Sequence, residues 1–268
     1  MAVTLRQLWD SERPTIGGWC RIPSAFAAEL MGHSGYDWVC VDTQHGLAGQ
    51  DTMITMLQAL DACGVPAMVR VGWNQPELIM RALDGGAQGV VVPMVNTPED
   101  ARRAASACRY APDGYRSWGP ARASLGRRDY SVGTANARVV CMVMIETESA
   151  IDNVEAILAV PGVDGAYVGP SDLAVSCGLP PGEDATTGPL AKLIARVLSS
   201  CRSHNLVAGI HCPNVETACK WRDSGFRMLT VTNDATFILT AASRVVDTFR
   251  SDERKEASGA GRLVVTEP

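Results

Sequence analysis

Eight short apolar runs, each closed by Gly, Pro or a polar residue and each followed by a stretch of helical period, constrain this chain more than any other feature. The runs read TIGGWC, DWVCVD, PAMVRV, GVVVP, VVCMVMIE, GAYVG, LVAGIH and RMLTVT. Between them lie segments such as SAFAAELMGHSG, QDTMITMLQALDACG, QPELIMRALDGG, PEDARRAASACRY, SAIDNVEAILAVPG, GPLAKLIARVLSSCRSHN and NVETACKWRDSG, several opening on Ser, Asp or Pro and ending at Gly or Asn. Repeated strand–helix units make a parallel sheet, buried on both faces. Eight such units predict an α/β fold of the (β/α)8 TIM-barrel type; a doubly wound open sheet satisfies the same count.

The 268 residues fit one such domain over 1–250, with a charged, then Gly-containing tail over 251–268. A hydrophobic content of 46% supports a sizeable core. The net charge of −5 argues against nucleic acid as a partner. No apolar run approaches the roughly 20 residues of a membrane span, and the start MAVTLRQLWDSERP lacks a signal-peptide pattern, so a cytoplasmic protein is expected. The cysteines show no CxxC pair, which predicts reduced and mostly buried thiols. Residues 111–138, rich in Gly, Arg and aromatics, are too long for an ordinary connection and read as a functional loop or a subunit contact.

In a barrel, chemistry gathers where the strands end. The second run ends in Asp42 with Gln44 and His45 just beyond, the third near Arg70, the fifth in Glu146, and VGPSDLA places Asp172 past the sixth. Glu146 and Asp172, with no cysteine partner, suit a hard divalent ion such as Mg2+ or Mn2+; alternatively they cap the helices that follow. Arg70 is expected to bind a substrate carboxylate or a developing enolate, or else to pair with Glu146. Asp42 can orient the His45 imidazole for proton transfer, or His45 can merely cap its loop. Asp84, in RALDGG, sits at an unfavourable end for the helix dipole, and His211 ends the seventh strand as a further rim candidate.

Absences narrow the chemistry. The lysines, Lys192, Lys220 and Lys255, fall in helix patterns and the tail, which disfavours a Schiff-base mechanism. Strands seven and eight lack glycine-rich phosphate turns, and no GxGxxG follows a strand. Metal-assisted enolate chemistry on a small carboxylate remains.

DTQHG after a strand, VRVGWN, the run GVVVPMVNTPEDARRAASACRYAPDGYRSWG and MIETESAIDNVEAILAVPGVDGAYVGPSDLA together resemble the metal-dependent (class II) pyruvate aldolases of the HpcH/HpaI family, whose type is 4-hydroxy-2-oxoheptanedioate aldolase; the likeness spans residues 15–240. The resemblance implies a barrel whose last helix is exchanged between subunits, commonly a hexamer, and an activity of the kind used in aromatic catabolism. It implies that Glu146 and Asp172 hold Mg2+, Mn2+ or Co2+, with pyruvate chelating the ion. It assigns enolate stabilisation to Arg70, a proton-transfer network to His45, Asp42 and Asp84, and the border of the pyruvate carboxylate to Gly169, Pro170, Ser171, Asp172 and Leu173. Gln44 departs from the commoner glutamate of the motif, which bears on the poise of His45. The expected reaction is reversible cleavage of a 4-hydroxy-2-oxo acid to pyruvate and an aldehyde, with Arg116, Trp118, Arg122 and Arg127 either as contacts for an acidic aldehyde or as ordinary interface residues. An acyl-CoA lyase and a non-catalytic metal-binding barrel are the alternatives.

Overall fold

A computed structural model describes the backbone of residues 3–259 and the side chains of residues 3–251. The eight runs form β1 (Thr15–Cys20), β2 (Trp38–Asp42), β3 (Ala67–Arg70), β4 (Gly89–Val92), β5 (Val140–Ile145), β6 (Gly165–Val168), β7 (Val207–Cys212) and β8 (Met228–Val231). Each pairs in parallel with the next, and β8 closes on β1. The barrel is therefore the one the alternation predicts, and the open sheet is excluded.

Strand periodicity sorts the side chains into two cores. Trp19, Trp38, Cys40, Met68, Val91, Met142, Met144, Tyr167 and Met228 fill the interior of the barrel. The alternate positions, among them Val39, Val69, Val90, Cys141, Val143, Ala166 and Ile210, pack outward under the helices. Because the period is two, the strand residues that reach the mouth belong to the inward set: Trp19, Asp42, Arg70, Tyr167 and His211 follow directly.

The lower end of the barrel is closed by a helix that periodicity alone does not reveal, α1 (Leu5–Asp10). A capping box between Thr4 and Gln7 starts it, and its Leu5, Leu8 and Trp9 join the interior cluster. Arg6 donates to the Val139 carbonyl at 2.6 Å and pairs with Asp164 at 2.8 Å, and Arg109 takes the other Asp164 oxygen at 3.0 Å. A six-residue helix is marginal alone, so burial and these ties hold it in place.

The surrounding helices are α2 (Ala25–His33), α3 (Gln50–Ala62), α4 (Pro76–Asp84), α5 (Pro98–Cys108), α6 (Val132–Arg138), α7 (Glu148–Asp152), α8 (Val154–Leu158), α9 (Pro170–Ser176), α10 (Gly188–Ser203), α11 (Val215–Ser224) and α12 (Asp234–Gly259). The predicted helix over 149–162 is two short helices broken at Asn153, whose side chain donates to the Asn96 carbonyl instead. Helix α12 behaves differently from the rest. From Ala235 to Ser251 every residue is exposed, including Phe237, Ile238, Leu239, Val245, Val246 and Phe249. Ile16, outward on β1 where a last helix would pack, is 43% exposed. The helix also runs through the expected boundary at residue 250; residues 260–268 of the expected tail lie outside the described residues.

All nine cysteines are free, six of them buried. No helix among the described residues is long and apolar enough to cross a membrane.

Candidate active site

A cavity of about 200 Å³ opens at the C-terminal ends of the strands, lined by Trp19, Arg21, His45, Arg70, Met144, Tyr167, Gly169, Pro170, Ser171, Asp172, His211 and Asn233. Its centre is set by strand register. Asp42 and Arg70 are partners across β2 and β3, so their side chains meet on the inner face. Arg70 Nε donates to Asp42 Oδ1 at 2.9 Å and Nη2 to Oδ2 at 2.5 Å, a bidentate fork. Arg70 therefore pairs with Asp42 and not with Glu146. Its Nη1 has no partner among the described residues and opens on the cavity.

Asp42 is fully buried and its oxygens are spoken for. Oδ2 also accepts from Trp19 Nε1 at 3.1 Å, and Oδ1 from the backbone N–H groups of Gln44 and His45 at 3.0 and 3.1 Å. Burial pushes its pKa upward, but the hydrogen bonds and charge of Arg70, then the N–H donors of His45 and Trp19, outweigh burial and hold the carboxyl below its usual range. Burial likewise disfavours the charged guanidinium, and Asp42 outweighs it, raising the Arg70 pKa. The expectation that Asp42 orients the His45 imidazole is corrected here: Asp42 fixes the His45 backbone and the Arg70 fork, and the imidazole stands exposed at the rim. Arg21 ties this loop down through Nε and Nη2 to the His45 carbonyl at 3.2 and 3.0 Å. Gly46 is required by close approach, since a Cβ there would lie 2.0 Å from the Asp42 carbonyl oxygen.

Glu146 ends β5 pointing inward and is 1% exposed. Its Oε1 accepts from the Met94 N–H at 2.8 Å, Met94 holding the left-handed φ of 55° at the end of β4, while Oε2 is buried with no partner. Burial first, then the charge of Asp172, push its pKa up to about 7 against the opposing Met94 N–H and Arg70. Neither carboxylate caps a helix: Thr147 caps α7, Gly169 precedes α9, and exposed Asp172 sits in the first turn of α9. A Cβ at Gly169 would meet Glu146 Oε2 at 2.7 Å, so the glycine leaves room in front of the orphaned oxygen. A buried unpaired carboxylate oxygen, a second carboxylate close enough to perturb it, and space between strand ends fit a divalent cation with open positions. Among the described residues no group of three or more His, Cys, Asp or Glu side chains makes a closed site.

Asp84 is not at this mouth. It ends α4, and helices of the barrel run back toward the closed end. Arg116 pairs with its side chain at 2.6 Å, and the N–H groups of Arg122 and Ala123 donate to its carbonyl. The segment 111–138 lies there too: Arg122 reaches Asp61 and the Gly85 carbonyl, Arg116 covers the Tyr110 ring at 4.6 Å, and Trp118 packs between Tyr110 and Tyr130. Within one chain, none of Arg116, Trp118, Arg122 and Arg127 lines the mouth cavity. Leu173 is buried beneath the Gly169–Asp172 turn.

Several mouth residues escape a reading of strand ends. Trp19 stacks on Tyr167 at 5.6 Å and lies 5.1 Å from the Arg70 guanidinium carbon. Asp234 accepts from the N–H groups of Arg21 and Ile22 at 2.8 and 3.2 Å, fixing the β1 end. Inward parity on β1 was the available signal for Trp19.

A parallel eightfold barrel that presents a clamped guanidinium and a recessed carboxylate at its C-terminal mouth has the form of an enzyme that stabilises an oxyanion on a small substrate. The chain belongs to the HpcH/HpaI aldolase/citrate lyase family, which matches residues 16–241. It is 36% identical to the hydroxypyruvate/pyruvate aldolase of Rhizorhabdus wittichii over 90% of this chain and 96% of that one. It is 34% identical to the 4-hydroxy-2-oxo-heptane-1,7-dioate aldolase of Salmonella arizonae over 92% and 94%. A family member of known crystal structure from Burkholderia cenocepacia superposes with a TM-score of 0.84 at 35% identity, covering 91% of this chain and 98% of that one. The protein is an aldolase.

Proposed function

We propose that the reaction is divalent-metal-dependent, reversible cleavage of a 4-hydroxy-2-oxo acid to pyruvate, or a close 2-oxo acid, and an aldehyde. The observation that carries this reading is the buried, unpartnered Oε2 of Glu146 directly behind Gly169, which lines the same mouth as the free Nη1 of Arg70. Glu146 and Asp172 would hold Mg2+, Mn2+ or Co2+, which as a Lewis acid supplies polarisation of the 2-oxo group. Arg70, rigid on its Asp42 fork, presents Nη1 to the oxygen on which enolate charge develops, so no reorganisation is spent at that moment. The backbone around Gly169, Pro170 and Ser171, at the start of α9, borders the carboxylate. His45, exposed at the rim, takes the proton of the C4 hydroxyl during cleavage and returns it in the addition direction. Metal-restored pyruvate release from 4-hydroxy-2-oxo acids, lost on chelation, is the expected result in a lactate-dehydrogenase-coupled assay. A folded protein that releases no pyruvate with any of the three ions overturns the reading.

The same proposal takes the protein as a homo-oligomer, hexameric as in the resemblance, in which α12 packs on a neighbouring barrel. The apolar side chains of α12 and the uncovered Ile16 support that exchange. Asp84 joins a His45 network only if a neighbour's closed end is brought against the mouth. A chain truncated after Asp234 is expected to sediment as a smaller species than the full chain; an unchanged sedimentation coefficient would refute helix exchange.

A further inference from the structure

Trp19, Asp42 and Arg70 stand on three consecutive strands, and their contacts follow from register. Trp19 is opposite Cys40 across β1 and β2, Asp42 is the next inward residue along β2, and Arg70 is opposite Asp42 on β3. The indole spans that diagonal and brings its Nε1 to 3.1 Å from Asp42 Oδ2. The two carboxylate oxygens are held unequally. Oδ1 accepts from the backbone N–H groups of Gln44 and His45 as well as from Arg70 Nε, whereas Oδ2 has, among the described residues, Arg70 Nη2 and Trp19 Nε1. The torsion that turns a carboxylate about its Cβ–Cγ bond is soft. With Oδ1 as the pivot, the indole N–H is what keeps Oδ2 from swinging, and Arg70 Nη1 would swing with that oxygen because the guanidinium is a rigid plane.

Trp19 is itself immobilised by groups that the proposed mechanism leaves idle. It is 2% exposed, stacks on Tyr167 at 5.6 Å and meets the His211 ring edge-on at 5.3 Å. Tyr167 and Thr230 are fully buried, and the Tyr167 hydroxyl has one partner among the described residues, Thr230 Oγ1, which lies 2.9 Å from His211 Nδ1. A phenolic proton in a dry interior needs an acceptor. Tyr167 therefore donates to Thr230, Thr230 donates to Nδ1, and the imidazole proton sits on Nε2. Burial first, then the charge of Arg70, lower the His211 pKa to about 4, so the ring is neutral and does not compete with Arg70 for Asp42. We propose that Trp19 is a positioning residue for the oxyanion donor, its N–H fixing Asp42 Oδ2 and, through that oxygen, the direction of Arg70 Nη1. This rests on the enolate chemistry proposed above. A donor aimed at charge that exists only in the transition state affects the rate when it is misplaced and leaves ground-state binding nearly alone.

The test follows enzyme-catalysed deuterium incorporation at C3 of pyruvate in D2O by mass spectrometry, with Mg2+, Mn2+ or Co2+ added, against protein-free controls, and needs no aldehyde. Trp19→Phe keeps an aromatic ring and removes the N–H. It is expected to lower the exchange rate at saturating pyruvate by about tenfold, with KM for pyruvate close to the wild-type value. The same substitution added to R70A should cost less than about twofold more, because no guanidinium is left to aim. R70M/D42N supplies that background if R70A does not fold, and W19M, which fills space without a donor, replaces W19F on the same ground. An unchanged rate in W19F, or a rise in KM that accounts for the whole effect, would overturn the assignment. So would an undiminished loss in the background lacking Arg70, since Trp19 would then act on the substrate or the fold directly. A wild type that exchanges no pyruvate with any of the three ions refutes the enolate reading instead, and the positioning role falls with it.

Discussion

Arg70→Ala is expected to lower kcat/KM for aldol cleavage by on the order of 10²-fold or more, the effect of removing one preorganised oxyanion donor. It should also destabilise the fold, because Asp42, fully buried, is left without its cation. Breaking a buried pair from one side costs about 3–5 kcal/mol. The two effects separate in a double variant. R70M/D42N removes both charges and retains volume, and should melt closer to the wild type than R70A does while remaining as inactive. R70K keeps a charge but cannot make the fork through Nε and Nη2 while also presenting Nη1, and should fall well below the wild type in kcat. Steady-state pyruvate release together with chemical denaturation reads all four proteins; full activity in R70A would remove Arg70 from the mechanism.

The second large effect concerns Glu146 and the ion. A pKa of about 7 in the folded, metal-free protein, against about 4.5 for an ordinary glutamate, means that the folded state binds the proton more tightly than the unfolded chain. Stability of the metal-free protein should therefore fall as pH rises from about 4.5 to 7, by up to about 3 kcal/mol for this group. A bound cation reverses the preference by favouring the ionised carboxylate. The stabilisation on adding Mn2+ should accordingly grow across the same window, and be small at pH 5. Glu146→Gln should abolish most of the activity, flatten the pH dependence of the metal-free protein and remove most of the cation-induced shift in Tm. A Tm that responds to Mn2+ equally in E146Q and wild type would place the ion elsewhere.

The strands were legible because a parallel barrel demands eight runs buried on both faces, and runs such as VVCMVMIE and GAYVG have no other use. Helix α1 was not, because six residues carry less than two turns of period and only the barrel floor explains Leu5, Leu8 and Trp9. At the mouth, the residue types were readable but their pairing was not. Asp42, three residues from His45 in sequence, faces Arg70, twenty-eight residues away, because register across β2 and β3 decides contacts that spacing cannot express. That Asp84 lies at the closed end of its own barrel could be read from the sequence, because a residue at the end of a returning helix lies at the barrel's far end. His211 looked like a marginal rim residue because its tautomer depends on Tyr167 and Thr230, which belong to two other strands.

The closed floor made by Leu5, Leu8 and Trp9 has a kinetic consequence. With Met68, Met142 and Met228 filling the barrel above it, the mouth is a blind well with one way in and out. In the reaction proposed above, a 2-oxo acid held near the bottom by Arg70 and the Gly169 turn would be covered by whatever occupies the rim beside His45. Synthesis is then expected to be sequential, donor first and aldehyde second, and cleavage to release the aldehyde before pyruvate. Pyruvate should accordingly inhibit cleavage competitively against the hydroxy-oxo acid, and the aldehyde noncompetitively.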